Sequence, residues 1–554
     1  MPFDTQTQAT TSTTQAATAV AQQYLGVGVD VLKNKISNPK VCQAVLDYDK
    51  LTVQFKDIDN TTISTVCKTG FASFMDSYSA SLGISGSYEF FSGSIQSQFA
   101  TSDFSSTTTA YAGMHAIHAG TACSARPNGE AQACFTPAFQ NALKDAENAA
   151  DYDQIIDDFG THVTMSALIG GMLRYFASSV ATTNVNTMEF SVQAQAKYDE
   201  VLYSIGGTAS FTDKQKEEAK NAVGKSHFDV IGGDPLEQAK VTGGVKGSFA
   251  TWAGSLQADP SFLMPGPDGL TPIYELVEGD AQKNLKLAYQ RRFARDFGVM
   301  ILTATGEMAE HPTATVKVPP NFKMISGGAV DNYGTGYGNM LTASFPASNS
   351  SWQANGKSQN VQNATTVTAY ALVVYDPLDL WTVQCFNGQP GPIARHPVAN
   401  MAMPANQGWA MTGGGAMLTI EGTGNLLTAS YPHTENNVPN GWMCSAKDHN
   451  NDSLATLTPY VLAIKSNVPG VSITTEVNSQ VSMKAEHPSE EVVLNAGLKM
   501  VGGGAQVNWQ EPGNLLTASA PSGKRSWTVK SKSHQDSSPA TITGFVIGAK
   551  VEIA

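Results

Sequence analysis

Charge is scarce in this sequence, and positive charge scarcer still. Charged residues are 15% of the 554, and 34 Lys and Arg against 47 Asp and Glu leave a net charge of −13. Phosphate-rich partners are repelled over most of such a surface, and no basic run longer than Arg291-Arg292 makes a local exception, which excludes nucleic acid as the partner. The same sign means that attraction to anionic lipid cannot by itself hold the protein on a membrane, so a membrane role requires a specific lipid, glycan or protein receptor. Long apolar runs are missing too. Nothing approaches the ~18 residues of a membrane-spanning helix, and the longest comparable stretch is Tyr370 to Tyr375. The opening residues, rich in Thr, Gln and Ala, have neither the basic start nor the apolar centre of a secretory signal. Residues 1–23 therefore read as a disordered leader, and export would use another route or a removed segment.

Cysteine is sparse and unpatterned. The six (Cys42, Cys67, Cys123, Cys134, Cys385, Cys444) show no CxxC or Cys/His spacing suited to zinc, so neither a metal nor a cofactor is expected. An even count permits disulfides, with Cys123 and Cys134 the favoured pair; the alternative is that they are small buried residues. No nucleophile motif accompanies any histidine, and Gly224-Lys225-Ser226 and Gly356-Lys357-Ser358 lack the leading glycine of a phosphate loop, so an enzyme is not expected.

What the sequence does have is glycine, 50 of them, scattered among short β-branched and aromatic runs, a composition of β-structure with many turns. A chain this long holds more than one core. Beyond residue 310 one unit recurs three times. Each copy has His-Pro (His311, His396, His487), then a glycine cluster (Gly327-Gly328, Gly413-Gly414-Gly415, Gly502-Gly503-Gly504), then a near-identical strand opening at Asn339, Asn425 or Asn514. Each continues to a tryptophan, Trp352, Trp442 or Trp527. The Asn-to-Trp step is 13, 17 and 13 residues, so the added length of the second copy falls in a loop. Each copy reads as a small antiparallel sheet, and three such sheets about a pseudo-threefold axis would form a β-prism. The tryptophans and the three histidines are the candidate receptor- or lipid-contacting residues; a buried tryptophan would instead fill the prism.

The first 300 residues read as α+β, with helices over 136–158 and 271–296 and long alternating segments around them. Prolines 312, 319 and 320 mark a boundary. The expected layout is a first domain over 24–300, a linker over 301–320 and a three-repeat domain over 321–554, with repeats at about 311–380, 396–468 and 487–554.

At the end of the first helix stands Phe159-Gly160-Thr161-His162-Val163, followed after six residues by Gly170-Gly171. This resembles the signature of the membrane-attack-complex/perforin (MACPF) family. Asp229-Val230-Ile231-Gly232-Gly233, Trp252 to Leu256, Pro272 to Leu276 and the opening Tyr24-Leu25-Gly26-Val27-Gly28 resemble further parts of that domain in the same order. A β-prism behind it resembles bacterial members, insecticidal ones included. The resemblance implies a bent central antiparallel sheet of four long strands with two helical clusters, in a protein secreted as a soluble monomer. It implies assembly into a homo-oligomeric ring on a target-cell membrane, where each cluster unravels into a β-hairpin of a barrel.

The sequence permits that conversion. Phe190, Val192, Ala194, Ala196 and Tyr198 alternate with Glu189, Ser191, Gln193, Gln195 and Lys197, one apolar and one wet face over the length that crosses a bilayer. Phe91, Ile95 and Phe99 alternate with Ser and Gln in the same way. Half-buried strands of a soluble sheet would show the same pattern. Gly170-Gly171 is the candidate hinge, because glycine alone tolerates positive φ and close backbone approach. His162 reads as a turn-packing residue. The competing function is a non-lytic adhesion or carbohydrate-binding protein on the same fold.

Overall fold

The computed structural model describes residues 5–33, 39–58, 64–81, 104–106, 109–179, 187–204, 223–266, 269–334, 337–404, 408–421 and 424–554. Two compact units form, one from Met1–Ala100 with Thr109–Phe293, the other from Thr101–Thr108 with Ala294–Ala554.

The first unit opens with α1 (Thr5–Tyr24), β1 (Val27–Val29), β2 (Val41–Ala44), β3 (Leu51–Ile58), β4 (Ser64–Thr69) and α2 (Phe71–Ser81). After β5 (Phe104–Ser106), which belongs to the second unit, come β6 (Ala110–Pro127), α3 (Pro137–Asp145), α4 (Ala149–Phe159), β7 (His162–Thr164) and β8 (Ser166–Ser179). Then follow α5 (Thr187–Ser204), β9 (Val223–Ile231), α6 (Pro235–Thr242), α7 (Ser248–Ser255), β10 (Ser261–Pro265), β11 (Leu270–Pro272) and α8 (Gly279–Arg295). The long strands β6 and β8 lie antiparallel at the centre. Along the free edge of β6 run β3, opposite Gly120–Pro127, and β4, opposite Ala110–His115; along the free edge of β8 run β9 and β10. The result is the bent antiparallel sheet of four long lanes that the resemblance implied.

Three expectations need correction. The described part of the leader is helix: α1 buries Ala17, Ala21 and Tyr24, at i, i+4 and i+7, and the two alanines let a polar helix lie close on its neighbours. The expected helix over 136–158 is two, because the Asn148 side chain caps α4 and Asp151 closes a reciprocal capping box. The second expected helix starts only at Gly279, after β11 and a 3₁₀ turn.

Among its described residues the regular structure of the second unit is all β, apart from the end of α8. Copy one supplies β12 (Val299–Thr305), β13 (Thr313–Lys317), β14 (Phe322–Asp331), β15 (Met340–Ser348), β16 (Ser351–Lys357) and β17 (Val367–Tyr375). Copy two supplies β18 (Trp381–Asn387), β19 (Val398–Ala402), β20 (Ala410–Ile420), β21 (Asn425–Glu435), β22 (Val438–Asp448) and β23 (Ala455–Ser466). Copy three supplies β24 (Val471–Val481), β25 (Ser489–Val493), β26 (Lys499–Asn508), β27 (Asn514–Pro521), β28 (Ser526–Ser533) and β29 (Thr541–Ile553). The expected linker 301–320 is therefore structural, since it contains most of β12 and all of β13.

No copy forms its own sheet, contrary to expectation. Each splits into two three-stranded halves, and each half joins a half of another copy: β13-β16-β15 with β20-β23-β18, β19-β22-β21 with β26-β29-β24, and β25-β28-β27 with β14-β17-β12. The third copy thereby pairs with the first, which closes the cycle of copies, while each sheet stays open and ends on strands such as β13 and β18 or β19 and β24. β5 adds in parallel to β12. The longer second copy extends a hairpin rather than a loose loop: β21 and β22 turn through Asn436 and Asn437, both at positive φ, as the tight hairpin turn demands.

Each glycine of the clusters has its own reason. A Cβ on Gly327, Gly414 or Gly503 would run into the indole of Trp352, Trp442 or Trp527 of the same copy. One on Gly328, Gly415 or Gly504 would strike the backbone of the strand joined from another copy, at 2.5 Å from Ser519 O, 2.5 Å from Ser344 O and 2.7 Å from Ser430 O. Larger residues would thus separate the sheets.

Candidate functional site

The signature turn ties four segments of the first unit together. Gly160 ends α4 at φ +83°, with its N–H on Ile156 O and its Cα against the backbone of Val29, where no side chain fits. Thr161 Oγ1 accepts from Val31 N (3.2 Å) and lies 3.2 Å from Val29 O, to which it donates. His162 is buried, its Nδ1 3.0 Å from Thr161 Oγ1 and its Nε2 3.3 Å from the Tyr289 hydroxyl on α8. With Thr161 donating to Val29, the network assigns the His162 proton to Nδ1 and leaves Nε2 as acceptor. Burial pushes the imidazole down to about 3. It is neutral and packed. Phe159 fills the core against Phe139, ring centroids 5.0 Å apart.

The bend itself is a row of unusual backbone across three lanes. Ala119 in β6 has φ 47°, Gly170 in β8 has φ 149°, and Gly232 after β9 has φ 80°. They stack on one another: a Cβ on Gly170 would lie 2.8 Å from Ala119 O, and one on Gly232 would collide with Gly170 O. Opposite the row lies α7, whose Trp252 donates from Nε1 to Gly232 O at 2.7 Å. A side chain on Gly171 would run into Leu256 and Trp252. The candidate hinge is thus one of three adjoining positions, and α7 is its cover. Sequence reading missed Ala119, since alanine carries no signal for positive φ.

On the sheet beyond the bend lie α2 and α5. Phe71, Phe74, Met75 and Tyr78 are the buried stripe of α2, and Tyr78 packs edge-on to Phe176 at 5.3 Å and to His115 at 6.0 Å. His115, near Arg174, is held down at about 4, chiefly by burial. In α5 the stripe is Phe190, Ala194, Tyr198 and Leu202, against Ala112, Met114, Leu173, Tyr175 and Ala177. Residues 189–198 are therefore helix in this state, not strand; Ala196 is buried as well, while Val192 is 46% exposed. Phe91, Ile95 and Phe99 lie outside the described residues.

Comparison with known proteins fits this geometry. A family model described as the MAC/Perforin domain matches residues 16–292, half of the chain, and it begins inside α1. The chain belongs to the MAC/Perforin domain family. Among solved structures, GNIP1Aa from Chromobacterium piscinae is similar at 16% identity and TM-score 0.41, over 76% of this chain and 81% of that one. A MAC/Perforin-domain protein of Bacteroides thetaiotaomicron follows at 12% identity and TM-score 0.35, over 49% and 60%. The perforin-like vertebrate membrane protein Astrotactin-2 gives 10% identity and TM-score 0.32, over 62% and 66%. A search of curated proteins finds no match. Among the described residues of this MAC/Perforin protein no helix is long and apolar enough to cross a membrane, which says nothing of strands.

The sites expected behind the MAC/Perforin domain divide. Trp352, Trp442 and Trp527 are not surface contacts: all three are buried, and each donates from Nε1 to the serine of its own copy's hairpin, Ser344, Ser430 or Ser519, at 2.9 to 3.1 Å. An indole wedged between two half-copies needs that acceptor. His311, His396 and His487 are exposed. His396 Nε2 lies 3.0 Å from Asp448 Oδ1. Cys123 and Cys134 are not bonded to each other; their thiols approach Ala167 O and Lys50 O on different segments.

Proposed function

We propose that this protein is a secreted pore-former whose second unit finds the target membrane, and whose first unit, assembled in a ring, inserts hairpins unwound from the α2 and α5 regions. The observation that carries the reading is the spacing in α5. Phe190, Ala194, Tyr198 and Leu202 recur every four residues. Four is close to one helical turn and is also an even number, so these side chains share a face in a helix and in a strand alike. Over Phe190 to Tyr198 the same set can cover the sheet in the soluble form and face lipid in a barrel, joined there by Val192 and Ala196, while Gln193, Gln195 and Lys197 face water; Glu200 on the same face marks where the lipid stretch ends.

Targeting by the second unit draws support from the exposed Met308, Ile393 and Met483, each three or four residues before a His-Pro step. The three steps sit alike, because Ser358 N, Asp448 N and Ser533 N bond to Glu310 O, Arg395 O and Glu486 O. The test is dye release from target-cell membranes together with imaging of the bound assembly. Release with ring-shaped oligomers is expected; firm binding without release would instead favour a non-lytic adhesion protein.

A further inference from the structure

The three copies of the second unit act as controls for one another at their sheet edges. β12, β18 and β24 open the three copies and pair with β17, β23 and β29, and each is the last strand that the copies supply to a shared sheet. Among the described residues β18 and β24 take no further strand. β12 does: Phe104, Ser105 and Ser106 of β5 run parallel to it, opposite Ile301, Leu302 and Thr303. A fold that leaves two equivalent edges open does not need the third one covered. The covering strand is also foreign to the repeats, because it comes from the stretch of chain between α2 and β6, both of which belong to the first unit.

That stretch has a second partner within reach. β4 and β6 form an antiparallel ladder that ends at Thr69 opposite Ala110, and Gly70 N donates to Thr109 O at 2.9 Å. The ladder stops there because the chain turns into α2 at Phe71. If α2 unwinds into a hairpin, as proposed above, the same register continues, and Ser106, Ser105 and Phe104 fall opposite Ser73, Phe74 and Met75. Ser106 and Ala110 are four residues apart, a span of about 14 Å at full extension, so β6 cannot grow past residues 107–109 without drawing β5 off β12. One segment cannot be both the end strand of the second unit's sheet and a wall of a membrane-crossing hairpin.

We propose that β5 is a latch: while it is paired with β12 the first hairpin cannot form, and insertion requires that this pairing break. The inference rests on the pore-forming reading and adds the element that restrains it. Three residues in parallel pairing make a short hold, and parallel pairs are slightly less stable per residue than antiparallel ones. Such a hold keeps the soluble form closed, yet yields to an antiparallel ladder that grows from an end already formed at Gly70 and Thr109.

The test fixes the latch covalently. In a chain whose native cysteines are replaced, Ser106→Cys and Thr303→Cys are introduced together; adjacent strands lie about 4.8 Å apart, within the reach of a disulfide. The control pair is Thr305→Cys with Thr368→Cys across β12 and β17, where the native hydroxyls are 2.9 Å apart. Mass spectrometry confirms each disulfide and thermal melts confirm folding. Dye release per bound molecule is then measured on vesicles prepared from target-cell membranes, for the oxidised proteins and again after reduction. The oxidised 106–303 pair should bind as the parent does and release at least tenfold less, with recovery on reduction, while the control pair stays within twofold in both states. The latch is overturned if the oxidised 106–303 pair releases within twofold of its reduced form, if the control pair loses as much, or if no disulfide forms between 106 and 303 in the soluble protein. Absence of release by the wild type is a different failure: it would reject the pore-forming reading itself, and the latch with it.

Discussion

Helix α5 and the tryptophan hairpins both bury large aromatic side chains, yet they are held in opposite ways. Each hairpin indole is fixed by a hydrogen bond, by a glycine shaped to receive it and by strands paired on both sides. The α5 stripe is held by apolar contact, and among the described residues the buried Tyr198 hydroxyl has no hydrogen-bond partner, a deficit of about 1 to 3 kcal/mol that unwinding would relieve. Each large apolar side chain adds about 1.5 to 3 kcal/mol of attachment, non-directional and recoverable in lipid. One region is held by directional contacts specific to its partners, the other by contacts that another apolar surface could replace.

The comparison is broken most severely by Trp442→Ala. It should lower stability by about 3 to 5 kcal/mol, because the cavity is walled by glycine strands that cannot collapse into it. Denaturant unfolding followed by near-UV dichroism checks this, and loss below 1 kcal/mol would show that the indole is not the wedge described.

Gly171→Val comes next. Its branched side chain meets Leu256 and Trp252, so stability should fall by about 1 to 3 kcal/mol. If the row Ala119, Gly170 and Gly232 must move for insertion, dye release per bound molecule should fall more than stability accounts for. Unchanged release per bound molecule would leave the row a static bend.

Acid should then act on the first unit. His115 and His162 are held by burial at about 4 and about 3 from an ordinary 6.5. Below 6.5 the unfolded chain takes up protons that the folded chain refuses, so stability falls as pH drops from 6.5 toward 4, by up to about 1.4 kcal/mol per pH unit for each histidine, and is indifferent to these groups above 6.5. Melting temperatures across that window should show it, and His115→Gln should flatten the slope.

The mildest change to the folded form is Val192→Arg. Val192 is exposed on α5, so stability should stay within about 0.5 kcal/mol. Release should nevertheless be lost, since a cation on the lipid face costs about 2 to 4 kcal/mol per strand near mid-bilayer. Normal release by this variant would remove residue 192 from the lipid face.

Much of this was legible in the sequence. The repeats, the glycine clusters, the signature turn and the alternation within what is now α5 were all visible, because each depends on spacing along the chain; that the same residues form a helix was not. The exchange of half-copies was not. Only short registers decide it, such as Ala329 with Ser519, Ala343 with Met417 and Ala429 with Gln506, and near-identical copies pair as plausibly within as between themselves. The tryptophans were assigned to the surface as readily as to the core because a strand pattern does not say which face is covered. The helix α1 escaped notice because its buried residues are mainly alanines in a polar run.

The account turns on α5 becoming a strand, and one measurement addresses that directly. Single cysteines at Val192, Gln193, Ala194 and Gln195, placed in a chain whose native cysteines are replaced and labelled with an environment-sensitive dye, are compared before and after pore formation. The account predicts lipid signals at 192 and 194 and water signals at 193 and 195, a period of two where the soluble helix shows none. Equal signals at neighbouring positions, or a helical period retained in the pore, would contradict it.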